Sequence, residues 1–343
     1  MTKQKQRIMA IAIIGVLLCI VSLLALHLGT IMIPIGGGIQ SILNGMGIPV
    51  HFTEPITAEQ EAVLWFIRMP RLIIGLLVGG ALALAGAVMQ GVFSNPLADP
   101  GIMGVSAGAS LGAVIAIALG FTSLGMFYMP AFAFVGAFVS VGITILLTLR
   151  NNKLDTTTLL LAGVAVSMLL GAFTSGILTM INEYRLREFL FWMVGGLDFR
   201  RWDHVLLAVG PIMTGSVILM MLGRHLNVLV LGDTEARALG VPVMVYRMLF
   251  LFLSSVITAT AVCVSGSIGF VGLVVPHIVR LLVGPDHRIL LPMAAIGGAL
   301  FLVFCDTLGR VVAQPVEIRV GIMTALLGAP YFLYLLHRLR SKG

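Results

Sequence analysis

Apolar residues run for about twenty positions at a time along this chain, and charged or Pro/Gly-rich breaks separate the runs. An apolar helix needs roughly 20 residues to cross the hydrocarbon core of a bilayer. The pattern predicts ten such helices, over residues 8–28, 69–91, 101–120, 129–149, 157–180, 204–222, 248–266, 268–283, 289–309 and 318–336. The seventh and eighth fall so close together that the pattern barely divides them. The opening MTKQKQR precedes IMAIAIIGVLLCIVSLLAL, an apolar run too long for a signal-peptide core and followed by no small-x-small site. It reads as a retained first span.

Three connections are long enough to carry function. In residues 29–67, Thr57 and Gln60 have the spacing of a capping box, and Trp65 suits a membrane interface. Pro70 is expected to break or kink the helix that follows. Residues 181–203 read as a short amphipathic helix with aromatics. Residues 223–247 contain LGDTEARALGVPV, a polar helix in an otherwise apolar chain. Asp233 is a candidate N-cap and pairs with Arg237 at i,i+4, while Gly240 and Pro242 end the helix. About two turns are unstable alone in water, so this helix needs a partner surface, and Ala236 and Leu239 are spaced for one face. It is either a connector lying on its own protein or a docking helix for a cytoplasmic partner.

With 59% hydrophobic and only 10% charged residues in 343, the chain is an all-α integral membrane protein, read as one transmembrane domain over 1–343. Glycines repeat every fourth residue at 104, 108 and 112 and again at 75 and 79, as close helix packing in lipid requires. An even number of spans puts both ends on one side. Lys3, Lys5 and Arg7 flank the start, Arg338, Arg340 and Lys342 flank the end, and residues 29–67 hold no Lys or Arg. The positive-inside rule therefore places both termini, and residues 223–247, in the cytoplasm. In that frame 13 of the 21 Lys and Arg lie inside, against 5 of the 14 acids. The net charge of +7 is thus a topology signal and not a nucleic-acid footprint.

Cys19, Cys263 and Cys305 all lie in apolar runs and read as packing residues. The seven histidines do not cluster, and His277, after Pro276 within a span, reads as structural. No metal or cofactor site is expected. The chain has no G-x-x-x-x-G-K-[ST] and lacks mid-span carboxylate pairs and histidine relays. Asp306 and Glu317 come nearest to membrane depth, both near outer span ends. A transporter without its own energy source is expected to be driven by a separate ATPase, and the helix at 233–239 is where a push would enter. Two other readings stay open: an ion-driven secondary carrier, and a membrane sensor or scaffold with no flux.

Four stretches together carry a family resemblance: RMPRLIIGLLVGGALALAGAVMQGVFSNPLADPGIMGVSAGAS (68–110), DTEARALGV (233–241), GSIGFVGLVVPHIVRLLVGPDHRILLP (266–292) and IRVGIMTALLGAPYFLYLL (318–336). They resemble the permease subunits of ABC importers for iron-siderophores, haem and vitamin B12, in order and at compatible spacing over nearly the whole chain. The resemblance implies a type II importer permease of a bacterial cytoplasmic membrane, without enzymatic chemistry of its own. It implies two permease subunits, identical or paralogous, two cytoplasmic ATPases and an extracytoplasmic binding (lipo)protein. The implied cargo is an iron(III)-siderophore, with haem or vitamin B12 as alternatives. Residues Asp233, Thr234, Glu235, Ala236, Arg237, Ala238, Leu239 and Gly240 match the coupling helix. Arg68 and Arg71, which alone read as a cationic pad for carboxylates or as interfacial anchors, match binding-protein docking arginines, and Arg310 matches a third. Asp306, one turn before Arg310, is placed to compete for it. Asn95 and Leu97, in the Pro-bracketed turn 94–101, match one half of an inner gate, and Thr156 and Thr157 match the other.

Overall fold

The computed structural model describes residues 3–51, 56–150 and 153–340. The chain enters through α1 (Lys3–His27) and makes two helices on the outer side, α2 (Ile35–Gly45) and α3 (Ala58–Val63). It descends through α4 (Met69–Val92), rises in α5 (Val105–Ala118) and descends again in α6 (Tyr128–Thr148). A two-residue strand pair, β1 (Leu149–Arg150) and β2 (Lys153–Leu154), turns it into α7 (Thr156–Leu178). Then come α8 (Glu183–Met193), α9 (Trp202–Met221), α10 (Gly223–Leu229), α11 (Asp233–Ala238) and α12 (Val243–Ser265). The last three are α13 (Val271–Val283), α14 (His287–Val312) and α15 (Val320–Arg340).

Ten of these match the ten expected spans. Seven are long and apolar enough to cross a membrane, and α5, α13 and the apolar part of α15 are shorter. The α4 and α12 helices form the centre, with 78% of their apolar windows buried, whereas α1 buries only 11% and lies on the rim. Lipid gives helices no hydrophobic reason to associate, so close backbone approach has to supply the contact energy. The glycines provide it. Gly79 of α4 and Gly298 of α14 face each other so closely that a Cβ on either would overlap the other's carbonyl. Gly108 of α5 and Gly136 of α6 repeat the arrangement.

Pro70 does not break its helix. Residues Ala58–Val92 form one continuous rod of 35 residues. A π turn over Leu64–Arg68 precedes the proline, and the wider turn accommodates both the missing N–H and the ring. The capping box at its start is present: Gln60 N donates to Thr57 Oγ1 and Thr57 N to Gln60 Oε1, at 3.2 and 2.9 Å. Trp65 is pinned, its Nε1 donating to Ser41 Oγ of α2 at 3.0 Å. Neither α2 nor α10 was marked by the hydrophobic pattern.

The close pair of spans seven and eight resolves into a re-entrant path. After α12 ends at Ser265, residues 266–270 run as non-helical backbone, and α13 begins only at Val271, beside α4. Gln90 Nε2 donates to the Leu273 carbonyl at 3.2 Å, and Gly86 of α4 lies against Gly272. Thirteen residues give α13 a length of about 20 Å, short of the roughly 30 Å hydrocarbon core. Irregular backbone at such depth persists only where protein covers it. Gly266 packs on the Trp192 carbonyl of α8, and Phe270, at φ +69, packs on Gly328 of α15.

Candidate functional site

At the inner end, α11 does not start as the sequence suggests. Gly232, at φ +120, occupies the N-cap position, and Asp233 is the first helical residue with no capping bond. Its carboxylate is drawn instead to Arg247 of α12. Arg247 Nη2 donates to Asp233 Oδ1 at 2.6 Å, and Nη1 donates to Oδ2 at 3.3 Å. The expected partner, Arg237, stands farther off at 3.9 Å. Arg247 is 8% exposed and also donates to the Leu154 carbonyl at 3.0 Å, just before α7. One guanidinium thus ties together α11, α12 and the end of β2, which leads into α7. A charged donor bridging a carboxylate and a buried carbonyl is worth more than a surface ion pair, because breaking it strands buried groups.

Around this bridge lies a cavity of about 380 Å³, whose walls include Asp155, Thr156, Asp233 and Arg237. Asp155 N-caps α7, accepting from Thr158 N and Oγ1, both at 2.7 Å. Those bonds hold its carboxyl below the ordinary range, Thr158's hydroxyl first. Ala236 and Leu239, the C-cap, do not share a face. Ala236 is completely buried, whereas Leu239 is 63% exposed, and Leu231 and Val245 are about as open. Thr234, Glu235, Arg237, Ala238 and Gly240 are exposed as well. Gly240, at φ +77, closes the helix: its N–H bonds the Arg237 carbonyl, and Val241 N–H bonds that of Ala236.

The turn at 94–101 is held by its own side chains. Asn95 Oδ1 accepts from Leu97 N at 2.9 Å, and Asp99 Oδ1 accepts from Gly101 N at 2.7 Å. Leu97 and Thr157 are exposed, and Asn95 and Thr156 are half-buried. Among the described residues no hydrogen bond joins the Asn95/Leu97 pair to Thr156/Thr157. Thr156 instead adjoins α11 through the shared cavity. Gly163 of α7 packs on Ile102, which links the two inner segments by backbone contact.

At the outer end, the three arginines do not form an open pad. Arg68, Arg71 and Arg310 are 5, 9 and 5% exposed. Arg68 donates to the carbonyls of Leu26, at 2.6 Å, and Ile31. Arg71 meets three carboxylates: Asp306 at 2.9 Å, Asp198 at 3.0 Å and Glu317 at 2.8 Å. Arg310 donates to the Ala25 carbonyl at 2.9 Å and stands 3.4 Å from Asp306. Asp306 is therefore mainly Arg71's partner. The difference from the sequence reading has a simple cause: guanidinium groups at the membrane edge find carbonyls and carboxylates of their own fold before solvent. Arg319 completes the cluster, donating to the Phe191 carbonyl at 2.6 Å with its guanidinium 4.6 Å over that ring. Burial pushes the Asp198 carboxyl upward against the pull of Arg71. Burial also lowers neighbouring Arg200 to about 10.

The sequence pattern missed Arg247, Asp198 and Arg319. Arg247 had a signal available, as a lone charge near the start of an apolar span. His277 has a buried Nε2 with no hydrogen-bond partner among the described residues, and its ring tilts against Tyr331.

Comparison with known proteins places this architecture. The sequence matches the FecCD transport family over residues 17–338. It is 47% identical over 289 residues to the cobalamin import system permease protein BtuC of Halobacterium salinarum, covering 84% of this chain and 76% of that one. It is 44% identical to the hemin transport system permease protein HmuU of Yersinia pestis, covering 83% and 87%. Among solved structures it superposes on a metal-chelate type ABC transporter in an inward-facing conformation, with TM-score 0.83, 32% identity and coverage of 95% and 97%. PsaBC of Streptococcus pneumoniae, at TM-score 0.53 and 18% identity over 80% of this chain and 92% of that one, shares the fold. This multi-pass cytoplasmic-membrane chain, a transport permease by descent and architecture, belongs to the FecCD transport family.

Proposed function

We propose that this permease subunit of a type II ABC importer passes a metal chelate inward, driven by two separate cytoplasmic ATPases that grip α11. The observation that carries the reading is the Arg247 bridge. A displacement of α11 reaches Leu154 and the start of α7 through bonds of 2.6 and 3.0 Å, with no flexible segment between. Thr156 and Thr157 ride on that start, and Asn95 and Leu97 on the facing turn, so the push arrives at the proposed inner gate. ATPase binding and release would bias two arrangements of this element. The open apolar side chains Leu231, Leu239 and Val245 suit the docking of a protein there.

A second permease copy or paralogue completes the pathway in this reading, and an extracytoplasmic binding protein seats on the outer face over Arg68, Arg71 and Arg310. For Arg71 to receive a carboxylate from that protein, the incoming group must replace Glu317, its most exposed partner, whose side chain is 35% open. The names of the relatives support cobalamin or haem as cargo. An iron(III)-siderophore is the second reading, supported by the metal-chelate type of the superposed transporter.

The test is uptake in proteoliposomes holding permease, ATPase and binding protein, offered labelled cobalamin, haem or a ferric siderophore. One cargo should accumulate only with ATP on the ATPase side. Accumulation with the ATPase left out would mean an ion-driven carrier, and absence of flux for all three would remove the transport reading of the bridge.

A further inference from the structure

We infer that the flank formed by α1, α13 and α14 is a binding site for one anionic phospholipid of the cytoplasmic leaflet, its acyl chain in a groove and its phosphate at Arg7. The groove has a volume of about 380 Å³ and wholly apolar walls. Ile14 and Leu17 of α1, Ile278 and Leu282 of α13, and Phe301 and Phe304 of α14 line it. Leu17, Leu282 and Phe304 are between 43 and 48% exposed, so the groove opens sideways into lipid. Gly15 of α1, with nothing within 4 Å of where its Cβ would stand, adds no wall on that side.

Arg7 supplies the specificity. It lies seven residues before Ile14 and fourteen before Val21, both in the groove, so the three share one face of α1. At 1.5 Å per residue the groove starts about 10 Å above Arg7 and ends about 21 Å above it. A leaflet is about 15 Å of hydrocarbon deep, so a chain anchored at Arg7 runs into the groove. The Arg7 guanidinium rests on Gly284, past the end of α13, with Nη2 2.8 Å from where a Cβ would be. Among the described residues it has neither a carboxylate partner nor a hydrogen bond, unlike Arg71 or Arg247. Exposed Lys5 lies two residues earlier, nearer the N-terminus and turned away from this face. A half-buried guanidinium with free donors at headgroup depth calls for an anion, and a phosphate joined to an acyl chain satisfies the cation and the groove together.

Native mass spectrometry of the full chain, released from vesicles of equal phosphatidylglycerol and phosphatidylethanolamine, tests this. The wild type should retain phosphatidylglycerol in preference. Arg7→Gln should weaken that preference about fivefold, Arg7→Lys should keep it, and Leu17→Trp should reduce retention of both lipids. Equal retention of the two lipids by the wild type overturns the site, as does an unchanged preference in Arg7→Gln or unchanged retention in Leu17→Trp. A photoreactive probe at Leu17 that crosslinks to a second copy of the chain, instead of to lipid, overturns it too.

Discussion

Arg247 shows how much one side chain carries in an apolar chain. Its removal leaves the Leu154 carbonyl without its donor and Asp233 with only the distant Arg237. Arg247→Ala and Asp233→Ala should each reduce ATP-driven uptake at least tenfold. The double variant should be little worse than Arg247→Ala, since both changes cut the same bond. A double variant whose losses simply multiplied would show that the two residues act apart. Glycine makes the complementary case. A Cβ on Gly86 would overlap the Gly272 backbone, which has no flexible end to yield. Gly86→Ala should therefore destabilise by more than about 3 kcal/mol and remove the monodisperse peak in size-exclusion chromatography. Gly142→Ala, with nothing within 4 Å of its Cβ, should elute as the wild type does. The small-residue stripe was legible in the sequence, because period four on an apolar helix has few other meanings. The partner of Asp233 was not. Spacing sees Arg237 four residues on, but the tight Gly240–Pro242 turn brings Arg247 closer from fourteen residues away.

Helices were legible as far as length and apolarity determine them, and the departures occur where tertiary cover replaces local rules. Pro70 fails to break its rod because a π turn absorbs it. The 266–270 segment crosses at membrane depth because α4, α8 and α15 enclose it. The α10 helix escaped notice because its seven residues carry no long apolar run. The inner junction of α13 and α14 has its own electrostatics. Asp286 caps α14 through Arg288 N and accepts from Asn227 Nδ2 at 2.7 Å. The Arg288 side chain and Asn227 hold its carboxyl well below the usual carboxylate range. A group whose folded pKa is depressed stabilises the fold above its unfolded value, near 4, and that contribution disappears as pH falls toward the folded one. In thermal melts in detergent, wild type should exceed Asp286→Asn at pH 7, and the gap should narrow steadily as pH falls below about 4. A gap that widened in acid would contradict this assignment.

For the molecule as a whole, charge and packing agree on one orientation. The carboxylate–arginine cluster of Arg71, Asp198, Asp306 and Glu317 gathers at one end, while Arg7, α11 and the end of β2 gather at the other. A thiol placed at exposed Thr234 should react with an impermeant maleimide in inside-out vesicles and not in right-side-out ones. Labelling from the opposite side would invert the whole topology. This asymmetry was legible from Lys and Arg alone. The state of the outer arginines was not, since no local pattern tells a buried guanidinium from a waiting one.

Ala236 lies completely buried beneath α11, the thinnest spacer a chiral residue provides. The clearance between this short helix and the body of the protein is thus fixed by a single methyl group. Any bulkier residue there acts as a shim, lifting the contact point and detuning the stroke delivered through Arg247 without touching either face of the joint.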